Sequence, residues 1–426
     1  MSVKKVLSND LIFVQIASYR DPELLPTIKD CIANAYQPEN LRFCIAWQHA
    51  EEDEWDNLDE FKDDPRFTIL DIHYKDSKGA CWARNKIQRQ YNGEYFTLHL
   101  DSHHRFSQNW DKSLVEMFTK LQKQGYKKPL ITGYLPGYFP NNDPEGRNIE
   151  VWHTTYDRFM PEGPIFVAPC YVDNWDSINE PIPARFYSGH FAFTLGKFTH
   201  EVPHDPDMYF HGEETSISAR AYTHGYDLFY PHFPIIWHEY TRDGKARHWD
   251  DHNFSPLDKR SFRKYRALFG IDDESREEFD FVGYDLGTER TLEQYERYIG
   301  VDFKKRLVHK HTNDKNILPI PFTNEQDWEN NMQHRFRYCI DVYKGSLLEE
   351  DYDLWVIAFK DKNGVEIARL DAPLEEINQI KQSSPGQFYN IWREFDCVEY
   401  PKSWLLWPRS LSKGWDHEII TNEIPY

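Results

Sequence analysis

Residues 11–17 (LIFVQIA) are nearly all apolar, and the polar turn Ser18-Tyr19-Arg20-Asp21-Pro22 follows directly. A short apolar run bounded by turn residues predicts a buried strand over Leu11–Ala17. Leu24, Leu25, Ile28, Cys31, Ile32 and Ala35 then recur at helical spacing, forming one face that can cover a sheet. Asp21 is placed to cap that helix and Pro22 to fill its first position. The pattern repeats: Leu41–Trp47 and Phe67–Ile72 read as strands, Ala80–Tyr91 as a helix closed by Gly93, and Tyr95–Leu100 as a further strand. A helix over Asp111–Gln124 turns Leu114, Val115, Phe118 and Leu121 inward and stops at Gly125, before a strand over Pro129–Tyr134. Strands alternating with amphipathic helices predict an α/β fold on a mostly parallel sheet. No Gly-rich phosphate loop stands at the first turn, which disfavours a dinucleotide or P-loop reading.

The strand at Tyr95–Leu100 runs straight into Asp101-Ser102-His103. Ligands of open α/β sheets bind at the C-terminal ends of strands. Alternate residues of an extended chain point the same way, so Asp101 and His103 can share one metal ion while Ser102 faces elsewhere. A carboxylate with an imidazole suits Mn2+ better than Mg2+, and such an ion can bridge the diphosphate of a nucleotide-sugar and take up charge as it leaves. By the same alternation His104 points away and is structural.

The later sequence offers partners. Tyr187–Leu195 (YSGHFAFTL) is a strand whose Gly189 permits close backbone approach to a sugar or, equally, marks a bulge. Phe210-His211-Gly212-Glu213-Glu214-Thr215 opens a helix, and because adjacent helical residues diverge by about 100°, only one of Glu213 and Glu214 is expected to reach the substrate. Pro234–Tyr240 ends a short strand with His238, a third metal ligand from a distant part of the chain. Arg84, about one turn inside its helix, supplies a guanidinium for a leaving diphosphate, with an ordinary surface arginine as the competing reading. Gln48, Asp76 and Lys78 stand just past strand ends, where base and ribose would lie.

Composition narrows the class. The 426 residues allow a full catalytic domain and a smaller one, and a formal charge of −20 argues against nucleic acid or an anionic membrane as standing partners. Aromatic residues make up 16% of the chain, flat rings that suit sugar binding as well as cores. The six cysteines show no CxxC pair, and the N-terminus has no apolar run of signal length, so the expectation is a cytoplasmic protein with reduced thiols and no stable membrane insertion. Oligomeric state leaves no mark on the sequence.

Four blocks, Ile16–Asp21 (IASYRD), Gly79–Asn85 (GACWARN), Leu100–Phe106 (LDSHHRF) and Gly287–Tyr295 (GTERTLEQY), carry a family resemblance. With the order Asp-Ser-His, Ser-Gly, Gly-Glu-Glu and Trp-His, the chain resembles the retaining, metal-dependent GT-A glycosyltransferases. Within these it is most similar to the polypeptide α-N-acetylglucosaminyltransferases, which include cytoplasmic hydroxyproline-modifying enzymes, and more loosely to the mucin-type polypeptide GalNAc-transferases. The resemblance covers roughly residues 10 to 305. It implies a UDP-sugar donor, GlcNAc in the first instance, a protein or glycan acceptor, and metal binding by Asp101, His103 and His238. It further implies nucleotide contacts from Ser18, Tyr19, Arg20 and Arg84, and sugar contacts from Gly189 and Glu213 or Glu214. The rival classes are a sugar nucleotidyltransferase, which would show a basic Gly-rich first loop, and a non-catalytic nucleotide-sugar or carbohydrate-binding module.

Beyond a stretch rich in Pro, Asn and charge (Asn313–Asn331), the pattern turns to alternating strands. Leu354–Lys360 and Val365–Leu370 flank an Asn-Gly turn, and His334–Tyr343 and Gln387–Val398 add further strands. The expected division is a GT-A catalytic domain over 1–325 and a small β-rich domain or extension over 330–426. Its aromatics Tyr389, Trp392 and Trp404 are expected either to grip an acceptor or to pack onto the catalytic domain.

Overall fold

Ile12, Val14 and Ile16 of the first strand, β1 (Ile12–Tyr19), lie in one apolar cluster and Phe13 in another. Successive strand side chains point to opposite faces, so β1 is covered on both sides, as in a parallel sheet flanked by helices. In the computed structural model the chain continues through α1 (Leu24–Asn34), β2 (Leu41–His49), β3 (Phe67–His73), α2 (Ala80–Gln88), β4 (Phe96–Leu100), β5 (His104–Phe106), α3 (Trp110–Lys123) and β6 (Pro129–Thr132). Leu24 and Ile28 of α1 and Leu114 and Phe118 of α3 fill one face, while Ala83 and Ile87 of α2 fill the other. Each large apolar side chain so buried contributes about 1.5–3 kcal/mol. The described residues are 11–241, 244–315, 318–421 and 423–424. Residues 1–10, where a leader was not expected, and 316–317, 422 and 425–426 of the linker and C-terminal segment lie outside the described residues.

The second half adds β7 (Trp152–Phe159), β8 (Ile165–Tyr171), β9 (Ile182–Pro183), β10 (Phe191–Leu195), α4 (Phe198–Glu201), α5 (Glu213–Thr223), β11 (Asp227–Tyr230), β12 (Ile236–His238), α6 (His248–Asp251), α7 (Ser255–Phe269) and α8 (Leu292–Ile299). The main sheet has eight strands in the order β3-β2-β1-β4-β10-β6-β11-β9. Strands β3, β2, β1 and β4 are mutually parallel, and β10 enters antiparallel between β4 and β6. The fold is therefore mixed α/β around a large, mostly parallel sheet. No helix among the described residues is long and apolar enough to cross a membrane.

Several expectations are corrected. Helix α1 begins at Leu24, with Glu23 at its N-cap, so Pro22 lies before the helix and Asp21 does not cap it. Helix α2 stops at Gln88, three residues short of Tyr91. Helix α8 and the short helix Lys310–Asn313 are separated by the two short strands Val301–Asp302 and Leu307–His309.

From Met332 onward the chain forms strands Met332–Tyr343, Tyr352–Lys360, Glu366–Arg369, Phe388–Cys397 and Ser403–Ser410, with one unexpected helix at Leu374–Ser383. Phe336, Trp355, Phe359, Ile391 and Leu406 form the core of this segment. Trp404 is buried in that core and Tyr389 packs against it, so of the three aromatics singled out only Trp392 is well exposed. The segment is tied to what precedes it by pairing of Val308 with Gln333 and of His309 with Met332.

Candidate functional site

Sheet register brings the site together. Strands β1 and β4 are parallel, with Ile16 beside Leu100, so Ala17 and Asp101 leave the same edge of the sheet. Phe191 of β10 pairs with Leu100, which sets Gly189 and His190 beside Asp101. Strand β5 pairs antiparallel with β12, His104 opposite His238, and Glu239 N donates to His103 O at 3.1 Å. Residues more than 130 positions apart in sequence thus converge on one strand end.

Asp101, His103 and His238 each present a ligand atom within 4.8 Å of the others. Asp101 Oδ2 is 4.0 Å from His103 Nε2 and 3.7 Å from His238 Nε2. The ring of His103 is fixed from behind, its Nδ1 lying 2.6 Å from Asp21 Oδ2, which also accepts from Ser102 Oγ at 2.7 Å. A carboxylate bound to the far nitrogen of a ligating histidine sets its tautomer and turns the other nitrogen toward the metal position, and this donor set fits a borderline divalent cation. Asp21 is thus a site residue that the sequence reading missed. Its position in a helix-entry turn gave it a cap role, and only the 82-residue jump to His103 reveals the other.

Arg84 is buried and lies between two carboxylates: Nη2 donates to Asp101 Oδ1 at 2.6 Å, and Nη1 donates to Glu213 Oε1. It is not a surface arginine. Burial pushes the Asp101 carboxyl up, but the Arg84 guanidinium together with His238 and His103 outweighs it and holds Asp101 well below the usual carboxylate range. Burial likewise opposes ionisation of Glu213, yet Arg84 and His204 bring its pKa down to about 2. His204 Nε2 lies 2.9 Å from Glu213 Oε1, its Nδ1 2.9 Å from Gln88 Nε2, and His99 stacks on it at 5.0 Å.

Two adjoining cavities share Arg84, Asp101, Ala80 and Phe210 as a common wall. The first, about 260 Å³, is bordered by Ala17, Tyr19, Gln48, Gly79, His103 and His238, and by residues 246–249. The second, about 310 Å³, is bordered by Tyr134, Phe166, Gly189, His190, Glu213 and Glu214. Both glutamates border it. Helical divergence sends them to different partners on one wall: Glu213 to Arg84, Glu214 to Gly189 N at 2.8 Å and Tyr134 Oη at 3.1 Å. Burial, with the charge of Glu213 adding to it, raises Glu214 to about 7 despite the Gly189 N–H.

The other sequence-picked residues divide. Tyr19, Gln48 and Gly189 border the cavities, whereas Ser18, Arg20, Asp76 and Lys78 do not. Gln48 is held by Nε2 donating to Ser18 O at 2.8 Å and by Ser77 Oγ donating to its Oε1 at 2.5 Å. Arg20 is committed to Asp53 at 2.7 Å and Asp251 at 3.3 Å. His104 is buried, with Nδ1 3.0 Å from Trp237 O. His99, His204 and Glu213 form a second set of converging ligand atoms, but neither histidine borders either cavity.

The family model described as Glycosyltransferase (GlcNAc) matches residues 11–68 and 63–305. No curated protein sequence matches the chain. Among solved structures, GalNAc-T7 with UDP, GalNAc and Mn2+ is similar at TM-score 0.49 and 11% identity, over 97% of this chain and 72% of that one. TarS 1–349 of S. aureus with UDP-GlcNAc is similar at TM-score 0.39 and 11% identity, over 61% of this chain and 65% of that one. Mannosyltransferase PcManGT of Pyrobaculum calidifontis with GDP-Man and Mn2+ is similar at TM-score 0.35 and 11% identity, over 55% of this chain and 58% of that one.

Proposed function

We propose, from the premise that the chain belongs to the Glycosyltransferase (GlcNAc) family, that it transfers GlcNAc from UDP-GlcNAc to an acceptor hydroxyl of a protein or a saccharide, within a GT-A architecture. The observation that carries this reading is the convergence of Asp101, His103 and His238 on the wall between two adjoining cavities. The first cavity takes the nucleotide, with Tyr19 and Gln48 on its wall, and the second takes the transferred sugar. The diphosphate lies where the two meet.

Charge favours a cation there. Asp101 and Glu213 bring two negative charges against the single positive charge of Arg84, so the common wall is negative before a diphosphate arrives. Asp101, His103 and His238 would hold Mn2+, with Mg2+ as the alternative, and the bound ion would supply positive charge against that developing on UDP. The chain's own residues do the rest. Asp21 orients His103, and Ser18 O orients Gln48. Arg84 fixes Asp101 and Glu213 relative to each other and faces the diphosphate. Glu214, held by Gly189 N and Tyr134 Oη, accepts hydroxyl donors of the sugar. In a retaining transfer the front-face route lets the leaving phosphate take the acceptor proton, so no nucleophile is assigned to Glu213 or Glu214. Residues 1–325 are the catalytic unit on this reading, 330–426 an accessory one, and the setting is cytoplasmic.

The test is UDP release from a panel of UDP-sugars with Mn2+. Release confined to UDP-GlcNAc is expected. Release from a different sugar alone would overturn the donor, and none from any would favour the binding-module reading; pyrophosphate release from UTP with a sugar phosphate would mark the nucleotidyltransferase.

A second expectation follows from the Asp21–His103 contact. Asp21→Asn keeps the shape but removes the charge that holds the His103 tautomer, and such second-sphere changes weaken metal binding about 10–100-fold. Titration of Mn2+ followed by electron paramagnetic resonance should show that loss. Unchanged Mn2+ affinity would remove Asp21 from the site.

A further inference from the structure

Two groups of exposed rings stand at the cavity mouth. In one group Phe210 and Trp249, both exposed, meet edge to face with centroids 5.4 Å apart, and Phe210 borders both cavities. In a second group, exposed Tyr240 borders the first cavity and stacks on Trp152 at 5.9 Å, and Trp152 meets exposed Tyr171 at 5.3 Å. Trp152 and Tyr171 are paired residues at the open end of the β7–β8 hairpin, so this second wall leads outward from the cavity on a rigid element. Tyr240 is anchored by its hydroxyl, which donates to Leu135 O at 2.8 Å.

We infer that these walls form an acceptor subsite for a neutral saccharide; this rests on the glycosyltransferase reading above and names its acceptor class. Flat rings placed in sequence meet the C–H faces of sugar rings while the sugar hydroxyls stay in water, a pairing that needs amphipathic rings at a wet, half-open surface. Beside these rings Glu239 is paired with Lys245 and Arg247 lies over the Trp249 ring, while the excess negative charge of Asp101 and Glu213 over Arg84 lies on the wall common to the two cavities, where the cation and diphosphate are placed. The β8 edge of the hairpin does not suit an added peptide strand. Pro169 lies within β8, and proline in a strand removes the N–H that an added strand would use. Because these rings are exposed at the rim of the first cavity, a saccharide seated against them lies outside the nucleotide held deeper in it and presents its terminal hydroxyl toward Phe210, where the two cavities join.

Isothermal titration with a panel of neutral gluco-, galacto- and manno-oligosaccharides, and with Ser-, Thr- and hydroxyproline-containing peptides, tests the inference. Wild type should bind at least one saccharide. Tyr171→Ala, at an exposed position, and Trp152→Ala should each weaken that binding about tenfold, as expected for losing one stacking ring. Trp415→Ala, an exposed tryptophan of the C-terminal segment, should not. Binding of peptides alone, binding of no saccharide, or saccharide binding that survives Tyr171→Ala would overturn it. UDP release is measured in parallel on the same wild-type sample. Saccharide binding without turnover of any UDP-sugar would count against the transferase and not against the subsite, whereas turnover stimulated only by peptides would count against the subsite and not against the transferase.

Discussion

Asp101→Ala should lower Mn2+-dependent UDP release by about a thousandfold, on the order of 4 kcal/mol in the barrier. Among the described residues, Asp101 is the one on which the cation position, the guanidinium and both cavities meet. Its Oδ2 faces His103 at 4.0 Å and His238 at 3.7 Å, and its Oδ1 accepts from Arg84 at 2.6 Å. Alanine removes a metal ligand and half of what holds the guanidinium. Asp101→Asn separates the two losses, because the amide oxygen can still accept from Arg84 while the negative charge opposite the cation is gone. Both variants should therefore lose Mn2+ affinity, and the asparagine variant should keep more of the wild-type thermal stability. The checks are initial rates of UDP release over a Mn2+ series and thermal unfolding of the three proteins. Asp101→Ala turnover within tenfold of wild type would remove the residue from the centre of the reaction.

The sheet was legible in the sequence because its signal is local. Apolar runs such as Leu11–Ala17 and Leu41–Trp47 are buried on both faces, and a run of that kind has few other homes. Asp101 and His103 were legible for the same reason, since an abrupt polar pair after Phe96–Leu100 marks the sheet edge. Where the signal was not local, the reading failed or stayed silent. The β7–β8 hairpin, whose strands mix Thr, Pro and charged residues, passed unnoticed. Asp21 sits in a Ser-Tyr-Arg-Asp-Pro turn that any helix entry could show, and its partner is 82 residues away. His204 and His99, which support Glu213 and the Gly189 carbonyl, have no distinguishing neighbours in sequence. Arg20 looked like a ligand-binding guanidinium, but Asp53 and Asp251, 33 and 231 residues distant, hold it. Periodicity tells where a side chain faces. It does not tell which charge from another element meets it there.

Arg84→Ala is expected to damage stability and turnover together, and the pH dependence of stability separates the causes. Removing one member of a buried ion pair costs about 3–5 kcal/mol, because the partner charge is left unpaired. Glu213 is the partner most exposed to this loss, being buried and ionised with its pKa near 2 chiefly through Arg84 working against burial. In wild type a carboxyl held below its unfolded value contributes stability that is present above about pH 4.5 and lost as pH falls through about 2. Without Arg84, burial dominates and raises that carboxyl, so the folded variant binds the proton more tightly than the unfolded chain. The variant then becomes less stable as pH rises, and its deficit against wild type should be larger at pH 7 than at pH 4. Arg84→Lys retains the charge but not the planar fork that reaches both Asp101 and Glu213, so it should recover most of the stability and little of the turnover. Urea unfolding of both variants at the two pH values, alongside UDP release at pH 7, measures each quantity. A stability deficit in Arg84→Ala that does not change with pH would show that Glu213 is held by something other than this guanidinium, and full turnover in Arg84→Lys would reduce Arg84 to a point charge near the diphosphate.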